Sequence, residues 1–405
     1  MLDDFGQRIR DIILSEMDLS RELSDEEICD LIGSVVSREA RDRPMTIKDR
    51  AELERTIFNS LRKLDVLQEL VDDRDVTEIM VNGPNDIFYE KAGRIQRFKG
   101  HFSSEEKLED VIQQIAGRHN RVVNQASPIV DTRLSDGSRV NIVLNPISIG
   151  GSAVSIRKFP EHPMSMERLV EIEALSPEVA RLLQILTQAK YNIFISGGTG
   201  SGKTTFLNAL SQYIPDDERI ITIEDSAELQ LLGAKNIVKL ETRNANTDGV
   251  TPITIRDLIR TALRMRPDRI IVGECRGAEA LDMLQAMNTG HDGSLSTGHA
   301  NSPHDIISRI ETMVLQGQDF PLNAIRQQIA SGIDIIVQLG RLRDKSRRVL
   351  EISEVDGFMD GEIVLHTLYR FEETAVLDSG RIQGFLKKAG TLCHTDKLMA
   401  AGLSV

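Results

Sequence analysis

The chain has 405 residues, and its 49 basic and 62 acidic side chains give it a net charge of −13. This acidic balance argues against a protein whose main role is to coat nucleic acid. The low aromatic content, 12 Phe and 4 Tyr without Trp, argues against a surface that stacks bases or sugars. Cys29, Cys275 and Cys393 form no CxxC pair, which excludes a four-cysteine zinc site and a disulfide framework and fits a reducing compartment. The acidic N-terminus does not resemble a signal peptide, and no apolar run approaches the roughly 18 residues of a transmembrane helix.

Residues 1–65 predict a helical bundle. Apolar residues recur at helical spacing in three stretches, within 5–13, 28–36 and 53–64. A capping box, Ser24-x-x-Glu27, opens the second stretch. One-sided helices normally pack against one another. A docking module for a membrane partner is the alternative, and the sequence does not choose between the two.

Residues 66–160 predict a smaller α+β domain with antiparallel strands. Turn signals at Asn82-Gly83-Pro84-Asn85, Lys91-Ala92-Gly93 and Asp136-Gly137 separate short apolar strands. Ser103 and Glu106 predict the start of the helix between the strands. The predicted strands cover 76–81, 87–90, 95–98, 129–134, 139–144 and 153–159.

Residues 181–405 predict an α/β domain that follows a linker over 161–180. Pro160 and Pro163 mark the linker, and Ser176-Pro177 opens a helix with serine at the cap and proline at the first helical position. From Tyr191 onward, strands alternate with helices, which is typical of a parallel sheet with crossover helices.

A phosphate-binding loop lies at the start of this domain. An apolar strand, 191–196, runs into the pattern G-x-x-x-x-G-K-[ST], and a helix follows, which is the context that this pattern requires. Glycines let successive backbone N–H groups point at phosphate oxygens, and the helix N-terminus adds its positive end. Lys203 is predicted to reach the β- and γ-phosphates of ATP, and Thr204 to bind Mg²⁺. The alternatives are a glycine-rich turn without a ligand and a degenerate loop that no longer supports hydrolysis. The predicted nucleotide-binding residues are Gly197, Gly198, Thr199, Gly200, Ser201, Gly202, Lys203, Thr204 and Thr205.

Two acidic residues and a histidine follow later strands of the same domain. Glu224 ends one apolar strand, and Glu274 follows another, with Gly273 in place of the usual Walker B aspartate. Strands of a doubly wound sheet present such residues at one edge, where they can hold Mg²⁺ and orient the attacking water. We expect Glu274 on the metal side and Glu224 on the water side, although the two roles are exchangeable. His299 is predicted to sense the γ-phosphate from a strand end, and its eight-residue spacing from His291 is not the helical pattern of a metal site.

Four motif blocks in this order resemble the ATPase superfamily of type II and type IV secretion and type IV pili. The blocks are the Walker A box 197–205, an aspartate box 221–225, an atypical Walker B 270–276 and a histidine box 297–302. Within that superfamily, 131–141 and 155–159 look closest to the CpaF/TadA ATPases of Flp pili. The missing four-cysteine module favours either these ATPases or the type IV secretion ATPases.

The resemblance implies a cytoplasmic hexamer at the inner face of the cell membrane, docked beneath inner-membrane platform proteins. Each subunit would carry a RecA-like P-loop motor domain preceded by a smaller α+β (PAS-like) domain and an N-terminal helical segment. Arg133, Arg139 and Arg157 lie in segments that resemble the nucleotide-facing strands of the smaller domain, where a guanidinium can meet transition-state charge. Solvated arginines at strand edges are the alternative.

The resulting functional hypothesis is a hexameric ATPase that hydrolyses ATP, with Mg²⁺, to power Flp or type IV pilus assembly or type II/IV secretion. The first alternative is a RecA-like nucleic-acid motor, which the acidic charge and the scarcity of aromatic residues disfavour, so no nucleic-acid partner is expected. The second is a regulatory module that binds nucleotide without turnover. Residues from Ala375 onward match no motif.

Overall fold

The structure, a computed structural model, describes residues 4–17, 20–21, 23–42, 45–91, 93–119, 121–159, 163–243 and 251–405. The chain divides into two compact units, Met1–Glu161 and His162–Val405. Each unit contains helices and one sheet, so the expected α/β fold class is confirmed. Ala92 and Pro160, on which a predicted turn and the predicted linker depend, lie outside the described residues. No helix within the described ranges is both long and apolar enough to cross a membrane.

Three helices open the first unit, and their apolar faces share one core. The helices are α1 (Asp4–Glu16), α2 (Asp25–Glu39) and α3 (Ile47–Arg62), followed by the short α4 (Gln68–Asp72). Ser24 and Glu27 form the predicted capping box of α2, and Thr46 with Asp49 forms a second one at α3. The buried side chains of this core are Ile9, Ile13, Ile28, Ile32, Val35, Val36 and Ile57.

A six-stranded antiparallel sheet and one helix complete the first unit. The strand order is β3-β2-β1-β6-β5-β4, with every neighbouring pair antiparallel. Helix α5 (Glu105–Gly117) contributes its apolar face to the core. Its N-cap is Ser104, whose side chain accepts a hydrogen bond from the N–H of Lys107. The prediction of Ser103 was therefore wrong by one residue, because two adjacent serines offer the same capping chemistry. The strands are β1 (Val76–Asn82), β2 (Ile87–Lys91), β3 (Arg94–Arg97), β4 (Ile129–Arg133), β5 (Arg139–Val143) and β6 (Ala153–Arg157).

The second unit is built on a nine-stranded sheet in the order β15-β14-β13-β12-β7-β11-β10-β8-β9. The six strands from β12 to β9 in this order are parallel. The last three strands add antiparallel pairs. The predicted alternation of strand and helix is interrupted by the loop 225–235 between β8 and β9. It ends at β12, because short turns join the strands that follow. The strands are β7 (Ile193–Gly197), β8 (Arg219–Glu224), β9 (Asn236–Glu241), β10 (Arg269–Val272), β11 (Leu295–Gly298), β12 (Ile335–Arg341), β13 (Arg347–Met359), β14 (Glu362–Val376) and β15 (Ile382–Lys388).

Alternate residues of the parallel strands supply two cores, one on each face of this sheet. Ile193 and Ile195 of β7 belong to one core, and Phe194 between them belongs to the other. The predicted cap at Ser176 is present, and a short helix, α6 (Met166–Glu171), lies inside the segment predicted as a linker. The helices of the unit are α6 (Met166–Glu171), α7 (Pro177–Gln188), α8 (Lys203–Ser211), α9 (Ile255–Ala262), α10 (Glu279–Asn288), α11 (Pro303–Gly317), α12 (Leu322–Gly332) and α13 (Asp396–Ala401).

The C-terminal residues, for which the sequence offers no motif, belong to the second unit. Strand β15 extends the sheet, and Lys397 of α13 forms ion pairs with Asp334 at 2.6 Å and Asp292 at 2.8 Å. The carboxylate of Glu354 accepts hydrogen bonds from the backbone N–H groups of Cys393 and His394. These contacts fix the tail to the sheet by polar bonds between residues that are distant in sequence.

Candidate active site

Strand β7, the loop after it and helix α8 form the phosphate-binding loop. Gly200 and Gly202 have φ values of +71° and +93°, which side chains rarely adopt. A Cβ on Gly197 would lie 2.5 Å from Ser201 Oγ and 2.8 Å from the carbonyl oxygen of Leu339. Glycine is therefore required at three positions, for backbone conformation or for space. Within the loop and the first turn of α8, Ser201 and Lys203 are buried, Gly198 and Thr204 are half-buried, and Thr199 and Thr205 are exposed.

The Lys203 side chain lies inside this loop, with only 8% of the residue exposed. Its Nζ donates to the carbonyl oxygens of Gly197 at 3.1 Å and Gly198 at 3.2 Å, and it lies 3.3 Å from His299 Nδ1. Burial lowers the pKa of Lys203, and the nearby Glu274 carboxylate partly opposes this change. Among the described residues, the ammonium contacts two carbonyl oxygens and an imidazole nitrogen rather than a carboxylate, which leaves it ready to bind an anion.

His299 joins Lys203 to the Walker B carboxylate. Its Nε2 lies 2.6 Å from Glu274 Oε1, while Arg276 Nε donates to Glu274 Oε2 at 2.8 Å. Arg276 Nη1 also lies 3.6 Å from Asp225 Oδ2. Burial is the main cause that lowers the pKa of His299, and Lys203 and Arg276 add to it against the opposing effect of Glu274. Strands β7, β11 and β10 are neighbours, so this chain of contacts runs along the carboxyl edge of the sheet.

Glu224 is the most perturbed carboxyl group of the site. It is only 4% exposed, and burial raises its pKa to about 7. Its Oε1 accepts hydrogen bonds from the N–H groups of Glu228 at 2.8 Å and Leu229 at 3.0 Å. No described residue bonds to its buried Oε2. A carboxyl group with a pKa near neutrality can accept a proton at physiological pH.

Gly273 explains why the usual Walker B aspartate is missing. A Cβ at this position would lie 2.8 Å from Glu224 Cγ and 3.2 Å from Glu224 Oε1. The carbonyl oxygen of Gly273 accepts a hydrogen bond from Thr297 Oγ1 at 2.8 Å, which fixes the backbone in place. Any side chain at 273 would therefore displace Glu224, so the buried carboxyl group occupies the space that the missing side chain leaves.

These residues fit a nucleoside triphosphate with Mg²⁺. The loop combines positive-φ glycines with a buried lysine, and Ser201 Oγ and Glu224 Oε2 are buried polar atoms that no described residue satisfies. Hydroxyl and carboxylate oxygens are the protein ligands that Mg²⁺ takes beside phosphate. Thr204, half-buried in the first turn of α8, and Glu274 would hold the ion.

Arg133, Arg139 and Arg157 lie in the first unit and form one row across its sheet. Arg133 pairs directly with Arg139, and Arg139 pairs directly with Arg157. Directly paired residues share a face of the sheet. The next row, which contains Val140 and Ile156, is buried in the core, so the arginines lie on the opposite face.

Sequence reasoning missed the roles of Arg276 and Gln338. Arg276 stands two residues after Glu274 and pairs with it. Gln338 is a buried polar residue among the apolar residues 335–339 of β12, and its Nε2 donates to the carbonyl oxygen of Ala300 at 3.2 Å, next to His299. A buried amide in an apolar strand was a signal that could have been used. His291 lies before β11 and His299 after it, at opposite ends of the strand.

Comparison with known proteins identifies relatives over most of the chain. A family model described as Type II/IV secretion system protein matches residues 60–383. The Putative conjugal transfer protein Rv3659c of Mycobacterium tuberculosis is 33% identical over 322 residues, which cover 77% of this chain and 91% of that protein. The Type IV secretion system protein PtlH of Bordetella pertussis is 33% identical over 320 residues, which cover 73% of this chain and 94% of that protein.

Solved structures show the same fold at lower identity. The pilus retraction motor PilT with bound ADP has a TM-score of 0.54 and 21% identity, covering 81% of this chain and 83% of its own. The ATPase DotB of Legionella pneumophila has a TM-score of 0.54 and 22% identity, covering 73% of this chain and 80% of its own. At these identities the likeness supports the fold alone.

Proposed function

This chain belongs to the type II/IV secretion ATPase superfamily, and we propose that it hydrolyses ATP to ADP and phosphate to power a secretion or pilus machine. The observation that carries the proposal is the contact chain from Lys203 through His299 to Glu274, built on a phosphate-binding loop. Hydrolysis of a phosphoanhydride requires a cation at the phosphates, a carboxylate for Mg²⁺ and a group that orients water. Lys203, Glu274 and Glu224 are the residues that we propose for these three roles.

The residues of the site divide these tasks. Lys203 leaves its carbonyl partners to donate to the phosphate oxygens, and this frees His299 Nδ1 to report that phosphate is bound. Glu224 orients the attacking water and accepts its proton, because a pKa of about 7 leaves much of it ionised at neutral pH. Mg²⁺, when bound at Thr204 and Glu274, neutralises charge on the phosphate oxygens.

The arginine row of the first unit supplies further positive charge to the nucleotide in this proposal. Phosphoryl transfer gains from a guanidinium that meets the transition-state charge. The strand register aligns the three arginines side by side on one face of the sheet, which supports a shared role in contacting an anion. A row of solvated surface charges would make no difference to turnover, which separates the two interpretations.

We propose a cytoplasmic homohexamer, peripheral to the inner face of the membrane and docked on platform proteins. The names of relatives connect the family with conjugal transfer and type IV secretion, and motif blocks 131–141 and 155–159 favour assembly of Flp pili. Gene neighbourhood separates these roles, because a prepilin peptidase and platform proteins beside the gene would support the pilus assignment.

The test is phosphate release measured in parallel with binding of a fluorescent ATP analogue. Lys203→Ala should lose both, because the cation that meets the phosphates is removed. Glu224→Gln and Glu274→Gln should keep binding and lose turnover, since each keeps its size and loses only the charge. Glu171→Gln is the matched control, a 62% exposed carboxylate side chain in the same unit. Turnover by the full chain that is unaffected by all three site variants would refute the proposed site.

A further inference from the structure

The β12–β13 hairpin places an arginine on the phosphate-binding loop. Strand β12 runs beside β7, with Leu339 paired to Gly197. Arg347, the first residue of β13, donates from Nε to the carbonyl oxygen of Gly200 at 2.8 Å. Its Cδ lies 3.4 Å from where a Cβ on Gly202 would stand. The side chain therefore follows the outer rim of the loop, from Gly202 to Gly200.

A second arginine stands directly opposite it. Arg341, the last residue of β12, pairs with Arg347 in the antiparallel register. Their Cβ atoms are therefore about 5 Å apart on the same face of the hairpin. Both residues are exposed. Like charges in directly opposed positions destabilise a strand pair unless an anion compensates them.

Neither arginine forms an ion pair with a described residue, although arginines beside them do. Arg343 in the connecting turn pairs with Glu373, and the buried Arg348 pairs with Glu173 at 3.3 Å. The terminal nitrogens of Arg347 carry no hydrogen bond to any described residue, because its one such bond uses Nε. The hairpin thus presents two uncompensated guanidinium groups at the loop, and guanidinium binds phosphate oxygens in a bidentate way.

We propose that Arg341 and Arg347 form a second cationic contact for the phosphates of the nucleotide, on the outer rim of the loop. Lys203 serves the inner side, where it contacts Gly197, Gly198 and His299. The inference rests on the proposed function, since it requires that the loop binds a nucleotide. It adds a phosphate contact from the motor unit itself, distinct from the arginine row of the first unit. The competing explanation is that Arg347 only supports the Gly200 carbonyl.

The experiment compares Arg341→Ala, Arg347→Ala and the matched control Arg343→Ala in the full chain. The control removes an exposed arginine of the same hairpin whose partner is Glu373. Binding is measured with a fluorescent ATP analogue and with inorganic tripolyphosphate as competitor. Arg347→Ala should weaken both ligands by about tenfold or more, and Arg341→Ala by several-fold, because charge-assisted hydrogen bonds to phosphate are lost. Both affinities should also depend less steeply on salt concentration, while the control stays within about twofold of the parent chain.

The outcomes separate the possible errors. If Arg347→Ala weakens binding and Arg341→Ala matches the control, Arg347 supports the loop and the proposed pair is wrong. If both variants match the control while the parent chain binds and hydrolyses ATP, the inference fails and the proposed function stands. If the parent chain binds neither ligand, both fail together. Melting temperatures equal to that of the control ensure that any loss of affinity is not caused by unfolding.

Discussion

The raised pKa of Glu224 should make the free energy of unfolding of the second unit depend on pH. The substitution Glu224→Gln should remove this dependence. The carboxyl group is buried, its Oε1 is held by two backbone N–H groups, and its pKa rises from 4.5 to about 7 on folding. Glutamine at this position keeps the shape and the Oε1 acceptor and cannot ionise. We therefore expect Glu224→Gln to be stabilised relative to the parent chain at high pH.

The sign follows from proton linkage. Between pH 4.5 and about 7 the folded chain holds the Glu224 proton and the unfolded chain does not. The stabilisation from the protonated carboxyl is therefore complete below pH 4.5 and is lost as the pH rises through 7. Each pH unit in this window is worth about 1.36 kcal/mol, so the parent chain should lose up to about 3 kcal/mol that the glutamine variant retains.

Urea unfolding at several pH values between 4.5 and 8 measures this difference. Tyrosine fluorescence is a suitable probe, since the chain has no Trp and three of its 4 Tyr, Tyr191, Tyr213 and Tyr369, lie in the second unit. Glu171→Gln is the control for loss of an exposed carboxylate. The free energies of unfolding of parent and Glu224→Gln should diverge by about 3 kcal/mol across the window. A constant difference would mean that Glu224 titrates normally, and the argument for its proton-accepting role would fall with it.

Three further predictions concern the loop, the Walker B glycine and the ring. Lys203→Ala should abolish phosphate release and weaken ATP binding, and a purified variant with unchanged turnover would contradict the assignment of the loop. Gly273→Ala should lose turnover while it still binds ATP, because the new methyl group would meet Glu224 Cγ at 2.8 Å; normal kinetics would show that Glu224 can move at no cost. Phosphate release per subunit should rise with protein concentration as rings assemble, and a monomer by light scattering with flat specific activity would rule out the hexamer.

Local patterns in the sequence predicted the elements of the fold that local chemistry determines. The capping box of α2 and the proline start of α7 use residues within three positions of each other, and both are present. The phosphate-binding loop is a single continuous segment, so its strand and helix could be placed from spacing. The cap of α5 was misplaced because Glu106, three residues after Ser103, favoured the first of two adjacent serines, whereas the folded backbone uses Ser104.

Contacts between distant residues could not be predicted in the same way. Lys203 and His299 meet because β11 inserts beside β7, and this strand order is not encoded by any spacing in the sequence. In the sequence, Gly273 stands where the Walker B aspartate is usual. The reason for a glycine there is the space taken by the Glu224 side chain, which comes from a different strand. The antiparallel strands after β12 were missed because an apolar strand has the same pattern whether its neighbour runs parallel or antiparallel.

The arginine row was predictable only in part. Local sequence patterns placed each arginine in a strand, but only the strand register in the structure shows that the three lie side by side. If the row serves the nucleotide, Arg133→Ala, Arg139→Ala and Arg157→Ala should not be equivalent. Replacing an arginine that meets transition-state charge should lower turnover by about 10³-fold. Replacing one that only binds nucleotide should weaken affinity and leave turnover nearly unchanged. Substitution by lysine keeps the positive charge but lacks the planar guanidinium group, so it should preserve affinity better than turnover.

Single-turnover phosphate release and ATP binding, measured on the full chain, separate the two effects. Arg94→Ala, in the exposed strand β3, is the control. If all three alanine variants behave like this control, the arginines are solvated surface charges, and they have no role in ATP hydrolysis.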